Sequence, residues 1–62
     1  SDLLARFEKK ASAGGKHYFV LKAANHQVIG TSEQYPTEEA CDGGIKSVIA
    51  NAKLAGVEDR TA

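Results

Sequence analysis

The sequence predicts an α+β fold: a three-stranded antiparallel sheet followed by one helix and a short C-terminal strand. Three observations support this prediction. Residues 17–23 alternate in the manner of a strand, polar and glycine-containing turns separate the extended segments, and apolar residues recur with helical spacing over residues 38–53. The order of these segments indicates a sheet covered by a single helix.

The first two strands are expected at residues 5–11 and 17–23, with Phe7 as the apolar anchor of the first. Gly14 and Gly15 in the turn between them permit positive φ at little cost. Because successive side chains of a strand point to opposite faces, the second strand should present two different surfaces. One face would carry Phe19, Leu21 and Ala23, and the other Tyr18, Val20 and Lys22.

A second hairpin follows, with its turn at residues 24–26 and the third strand at residues 27–34. Asparagine is among the few non-glycine residues that tolerate the left-handed region, so Asn25 is expected to hold the positive φ of this turn. Gly30 lies inside the third strand, where glycine marks a bulge or a close approach of another group. Tyr35 and Pro36 end the strand.

Thr37 is the expected N-cap of a helix over residues 38–53, whose first turn carries two glutamates. Gly43 and Gly44 together cost this helix roughly 1–2 kcal/mol relative to alanines, which indicates that the helix approaches the sheet closely. The apolar stripe of the helix is formed by Cys41, Ile45, Val48 and Ala52, with Gly44 and Ile49 beside them.

The C-terminal segment is expected to begin with Gly56 as a left-handed cap and to end in a short strand over residues 57–61. A terminal strand of five polar-rich residues is poorly held by its own chain. The sheet of a partner would hold it better.

The 62 residues form a single domain, 1–62, near the lower limit at which one core keeps a chain folded. Small domains gain stability from disulfides, metals or oligomerisation. One cysteine, Cys41, excludes an internal disulfide, and with His17 and His26 it falls short of the four ligands of a structural zinc site. We therefore expect no cofactor, and a homodimer as the source of the additional stability.

Eight basic and eight acidic residues balance, and both signs are mixed along the chain. This balance argues against nucleic acid as a partner, since such binding relies on a basic stripe. No apolar run approaches the roughly 20 residues of a membrane span, and no signal peptide is visible. We expect a cytoplasmic protein without a membrane partner.

Six polar or aromatic residues around the second hairpin are candidates for binding a ligand or partner: Lys22, Asn25, His26, Ser32, Glu33 and Tyr35. Lysine and hydroxyl donors beside a turn can hold a carboxylate or a phosphate. The structural alternative, which we favour, is that Asn25 shapes the turn, Lys22 pairs with Glu33 across strands, and Tyr35 packs over the helix start.

Neither the histidines nor the cysteine predicts catalysis. His17 and His26 would lie at opposite ends of one strand, roughly 20–24 Å apart, too far for one site within a chain. A site shared across a dimer stays open. Cys41 near a helix N-terminus could act as a nucleophile, but its place on the apolar stripe favours a buried, inert thiol. No catalytic residues are assigned.

The motifs FVLKAANHQVIGTSEQY and GIKSV resemble the YegP-like family of small bacterial and archaeal domains over nearly the whole chain. The resemblance implies a unit of three strands, a helix and a final strand, present once or twice per protein, in which two units exchange their C-terminal strands. It implies a strand-swapped homodimer for a single-unit chain. The family has no assigned activity, so the resemblance transfers an architecture and no catalytic residues. The doubled glycine Gly43–Gly44 and Pro36 depart from the family pattern.

Three functions are compatible with these observations. The first is a non-enzymatic homodimeric module with an unknown ligand or partner. The second is an anion or nucleic-acid binder using Lys9, Lys10, Lys16 and Lys22. The third is a thiol-dependent enzyme acting through Cys41. The small core and the absence of a catalytic constellation favour the first.

Overall fold

The computed structural model of the chain describes residues 4–61. It contains three strands and one helix: β1 (Arg6–Ser12), β2 (Lys16–Lys22), β3 (Val28–Thr31) and α1 (Glu38–Ala52). Both strand pairs are antiparallel, and the strand order in the sheet is β1-β2-β3. The predicted three-stranded antiparallel sheet with one helix is confirmed.

The turn between β1 and β2 is a short 3₁₀ segment, Ala13–Gly15. Gly14 and Gly15 have φ of 81° and 74°, a region that favours glycine. The register that they produce pairs Ser12 with Lys16 and Arg6 with Lys22, so β1 and β2 align along their full lengths.

The turn between β2 and β3 differs from the expectation in one residue. His26, not Asn25, holds the positive φ, at 68°. Asn25 instead accepts a hydrogen bond from the backbone N–H of Gln27 through its side-chain oxygen (3.2 Å), and the N–H of His26 donates to the carbonyl of Ala23 (3.0 Å). The asparagine thus stabilises the turn from its side chain, which leaves the left-handed position to its neighbour.

The third strand is shorter than expected, and its irregularity lies next to Gly30. Leu21 pairs with Gly30 and Lys22 with Val28, which leaves Ile29 as an extra residue in β3. Beyond Thr31 the regular ladder stops. The hydroxyl of Ser32 accepts from the N–H of Phe19 (2.9 Å) in place of a backbone carbonyl.

Thr37 caps the helix as predicted: its hydroxyl accepts from the N–H of Ala40 at 3.1 Å. The helix ends at Ala52, within one residue of the expected limit. Gly56 is not left-handed, because positive φ occurs in the described residues at Gly14, Gly15 and His26 alone.

The predicted final strand is absent from the single chain. Residues 55–61 have no regular secondary structure in the described part of the chain. A strand needs a neighbour to receive its backbone hydrogen bonds, and within this chain no strand of the described sheet pairs with the segment.

The core is small and centres on Phe19, which packs edge-on against Phe7 (ring centroids 5.7 Å apart) and stacks with Tyr35 (6.1 Å). Cys41 of the helix is completely buried, which confirms its predicted place in the core. Val20 is also buried, on the opposite face of β2 from Phe19.

Gly44 explains how the helix comes so close to the sheet. A Cβ atom at this position would lie 2.7 Å from Cζ of Tyr35 and 3.1 Å from Cε2 of Phe19. At Gly43 a Cβ atom would meet nothing within 4 Å. The close approach predicted from the glycine pair is therefore confirmed for Gly44 only.

We expect Gly44→Ala to lower the free energy of unfolding by about 1–3 kcal/mol, because the added methyl group overpacks the Phe19–Tyr35 stack. Gly43→Ala is the matched control and should raise it by about 0.5–1 kcal/mol through helix propensity. Urea titrations at one fixed protein concentration measure both. Similar changes in the two variants would contradict the close approach at Gly44.

His26→Val should lower the free energy of unfolding by about 1–2 kcal/mol, because a β-branched residue resists the left-handed region. His26→Asn should stay within about 0.5 kcal/mol of the parent, since asparagine tolerates positive φ. The same urea titrations apply. If Asn25→Val proved more costly than His26→Val, Asn25 would be the left-handed residue after all.

Candidate functional site

An open apolar groove, here called the β3 groove, lies between the sheet and the helix, beside β3. It has a volume of about 330 Å³. Phe7, Phe19 and Leu21 line it from the sheet, and Val48 lines it from the helix. Tyr35, Gly30 and residues 31–33 complete the lining.

The strand register explains why the groove is open. Phe7, Leu21 and Gly30 are opposed across the three strands, and directly opposed residues share a face of the sheet. The row thus ends on β3 at a residue without a side chain, and a Cβ atom there would meet nothing within 4 Å. The missing side chain leaves space that another apolar group can fill.

The edge of the sheet beside this groove is bare. All four residues of β3 are exposed, with Val28 at 54% and Ile29 at 64%. Because β3 is the last strand in the order β1-β2-β3, no described strand pairs with its outer side. Such an edge, with apolar side chains and unpaired backbone groups, is a template for adding a further strand.

The C-terminal segment, residues 55–61, is exposed and pairs with no strand of the described sheet. Val57 is 98% exposed. The hydrogen bonds of this segment are local, from Thr61 to Asp59 (2.9 and 2.6 Å) and from Arg60 to Glu58 (3.0 Å). The hydroxyl of Thr61 lowers the pKa of Asp59.

A charged cluster lies on the face of the sheet opposite the helix. Arg6 Nε donates to Glu8 at 2.8 Å, Lys22 Nζ lies 3.3 Å from the other oxygen of Glu8, and Arg6 Nη2 lies 3.1 Å from Nδ1 of His26. The Arg6 hydrogen bond, followed by Lys22, lowers the pKa of Glu8. Arg6 Nη1 is buried without a hydrogen-bond partner. Two cations share one carboxylate here, so the cluster is positively charged.

The six candidate ligand residues fall into two places. Lys22, Asn25 and His26 lie at the turn end of the second hairpin, where Lys22 pairs with Glu8 and not, as the structural alternative proposed, with Glu33. Ser32, Glu33 and Tyr35 line the β3 groove. The Ser32 hydroxyl is engaged between the N–H of Phe19 and the carbonyl of Glu33 (2.8 Å). Ligand binding by these residues stays a prediction.

A second, smaller cavity of about 230 Å³ is lined by Lys9, His17, Glu38 and Cys41, together with residues 10 and 11. Lys9 bridges the sheet to the helix through Glu38 (3.0 Å) and Asp42 (2.9 Å), and Asp42 is the main cause of its raised pKa. Lys9 is therefore engaged in ion pairs that join the sheet to the helix.

The described part of the chain contains no group of three or more His, Cys, Asp or Glu side chains placed to hold a metal ion. Residues 4–61 also include no helix with the length and apolar character needed to cross a membrane.

Sequence reasoning named the outer residues of the β3 groove but missed its apolar lining, Phe7, Leu21 and Val48, and it missed the Arg6–Glu8 pair. The signal for the lining was present in the periodicity of strand and helix. It became specific only with the register that places Phe7, Leu21 and Gly30 in one row.

The fold and the groove define a class: small α+β domains with one helix on one face of a three-stranded sheet. The family model described as "Domain of unknown function (DUF1508)" matches residues 12–59, and the chain belongs to this family. The resemblance to the YegP-like family is thereby confirmed.

Relatives support the assignment. The chain is 52% identical over 56 residues to the UPF0339 protein YegP of Escherichia coli K12, a match covering 90% of this chain and 51% of that protein. It is 49% identical over 61 residues to a UPF0339 protein of Shewanella oneidensis (98% and 56%). The chain thus spans about half the length of these curated relatives.

A solved structure shows the same fold. The NMR solution structure of a protein from Haloferax volcanii matches with a TM-score of 0.80 and 30% sequence identity, covering 89% of this chain and 93% of that chain. None of these descriptions names an activity, a ligand or a partner.

The lowered pKa of Glu8 predicts a pH dependence of stability. Above the ordinary value of 4.5 the carboxylate is ionised in both states and its contribution is complete. As the pH falls below that value, the unfolded chain takes up the proton first and the contribution is lost. We expect Glu8→Gln to reduce the loss of stability on acidification through this range.

Urea titrations between about pH 6 and pH 3 measure this effect, since the range brackets the ordinary carboxyl pKa. Glu33→Gln is the control, because Glu33 forms no ion pair within the described residues. Parallel curves for the parent and Glu8→Gln would show that the cluster does not stabilise the fold.

Proposed function

We propose that the chain acts as a non-enzymatic homodimeric module. In this proposal residues 57–61 of each copy pair with β3 of the other copy, and Val57 enters the partner's β3 groove. The observation that carries the proposal is the combination of an open apolar groove, a bare strand edge and an exposed segment without regular secondary structure in one small chain.

The energetic support is the imbalance between core and surface. The buried apolar side chains of the described residues are Phe19, Val20 and Cys41, whereas Val28, Ile29 and Val57 lie exposed. Burying one large apolar side chain contributes about 1.5–3 kcal/mol. In a dimer with two-fold symmetry each such group would be buried in both copies, because both partners use the same surface.

The dimensions agree with this arrangement. A five-residue strand is about 17 Å long, and the four-residue β3 is about 13 Å long, so the segment suffices to cover the bare edge. Alternation along the segment would place Val57, Asp59 and Thr61 on the groove side. Glu58 and Arg60 would then lie on the opposite side, as a pair of opposite charges.

The lengths of the relatives are consistent with exchange of the C-terminal segment between two units. A protein about twice as long as this chain has room for two such units, so one unit could receive the C-terminal segment of the other within a single molecule. The apolar part of the groove, formed by Phe7, Phe19, Leu21 and Val48, suits docking of a strand.

Sedimentation equilibrium over a wide concentration range tests the proposal. We expect the parent to be a dimer, removal of residues 57–62 to give a monomer, and Val57→Asp to raise the dimer dissociation constant at least about tenfold, because the substitution replaces the apolar side chain that enters the groove with a carboxylate. Arg60→Gln is the control in the same segment and should change the constant less than about twofold, as expected for an exposed ion pair.

A variant on the acceptor side completes the test. Gly30→Leu has space in the free chain but occupies the opening that Val57 would use, so it should weaken the dimer while circular dichroism shows an intact fold. A parent that stays monomeric at all concentrations would exclude the homodimer. A dimer unaffected by either groove or segment variants would exclude strand exchange.

A further inference from the structure

We infer that the face of the sheet opposite the helix binds single-stranded nucleic acid. This open face is defined by the strand register, because residues that oppose each other share a face. Lys9 contacts the helix, so its neighbours Glu8 and Lys10 point to the other side. The open face carries Arg6, Glu8, Lys10, Lys16, Tyr18 and Lys22, around the buried Val20.

The charges of the chain separate between the two sides. The open face has four cations and one carboxylate, Glu8. The first turns of the helix, on the other side, carry Glu38, Glu39 and Asp42. The net charge of zero therefore conceals a positive surface, and a positive surface attracts a polyanion.

Two of these cations are available for a ligand. Lys10 and Lys16 are exposed, and neither forms an ion pair within residues 4–61. They flank an aromatic ring: Lys10 directly opposes Tyr18, and Lys16 lies two residues before it on the same face. Tyr18 is half-buried, so part of this residue is exposed.

An aromatic ring between lysines fits a single strand better than other polyanions. An unpaired base can stack on the ring while the adjacent phosphates contact the lysines. A duplex offers its phosphates but no free base face. At the turn end of the same face, Arg6 and Lys22 add positive charge around Glu8. The cluster around it keeps a net positive charge because Glu8 is shared with Lys22.

The acidic helix of a second copy fits this face less well. Its Glu38 and Asp42 are already bound to Lys9 of their own chain. The proposed dimer uses the β3 edge and groove on another part of the surface, so the open face stays accessible in it. The inference does not depend on the dimer.

Fluorescence anisotropy with a labelled single-stranded DNA of about 12 nucleotides tests the inference, since that length covers a typical site. We expect saturable binding at about 25 mM salt that weakens steeply as salt is added. The double variant Lys10→Gln/Lys16→Gln should raise the dissociation constant about tenfold and lower the salt slope by about 1.4, at about 0.7 per lost phosphate contact.

Lys46→Gln/Lys53→Gln is the matched control, because it removes the same charge from exposed lysines of the helix side. It should change the dissociation constant less than about twofold, consistent with screening of distant charges. Tyr18→Leu should weaken binding about fivefold or more, whereas Tyr18→Phe keeps the ring and the affinity. Circular dichroism checks that each variant is folded.

Four results would overturn the inference. They are no saturable binding at low salt, equal losses in the two double lysine variants, equal affinity for the duplex of the same sequence, and weakened self-association of Lys10→Gln/Lys16→Gln in sedimentation. The last result would assign the open face to a second copy of the chain.

Discussion

The contact of Phe19 with the glycine side of the helix is the constraint on which the rest of the structure depends. Phe19 lies between Phe7 and Tyr35, and Gly44 lets the helix backbone approach this stack. Tyr35 is held in place because its backbone exchanges two hydrogen bonds with His17 (2.9 and 2.7 Å). The segment between β3 and the helix is therefore anchored on β2, and this anchor sets where the helix begins.

A single helix on a three-stranded sheet leaves three surfaces incomplete. The helix covers the face of Phe19, but the row of Phe7 and Leu21 ends at Gly30, so a groove stays open beside β3. The outer edge of β3 has no strand beside it among the described residues. On the opposite face, Lys10 and Lys16 are exposed around the buried Val20. In so small a domain such surfaces are too large a fraction of the whole to be incidental.

Local chemistry determined what could be predicted from the sequence. The Thr37 cap, the Gly14–Gly15 turn and the burial of Cys41 follow from the preferences of single residues, and the structure has them. The prediction of Asn25 as the left-handed residue was wrong, because its side chain accepts a hydrogen bond in the turn and His26 takes the positive φ. The final strand could not be judged from one chain, since a strand exists only with its neighbour. The β3 groove required the register, which depends on a bulge at Ile29.

The net charge of the sequence does not describe the charge of any one surface of the folded chain. The chain has equal numbers of acidic and basic residues. Strand alternation, however, sends Lys9 to the helix, where two carboxylates neutralise it, and sends Lys10 to the open face beside Tyr18. Adjacent lysines thus have different roles, because successive side chains of a strand point to opposite faces of the sheet. Because electrostatic attraction acts over about 10 Å in salt, a ligand experiences the charge of one face and not the total. A neutral small domain can for this reason present a binding surface for an anion.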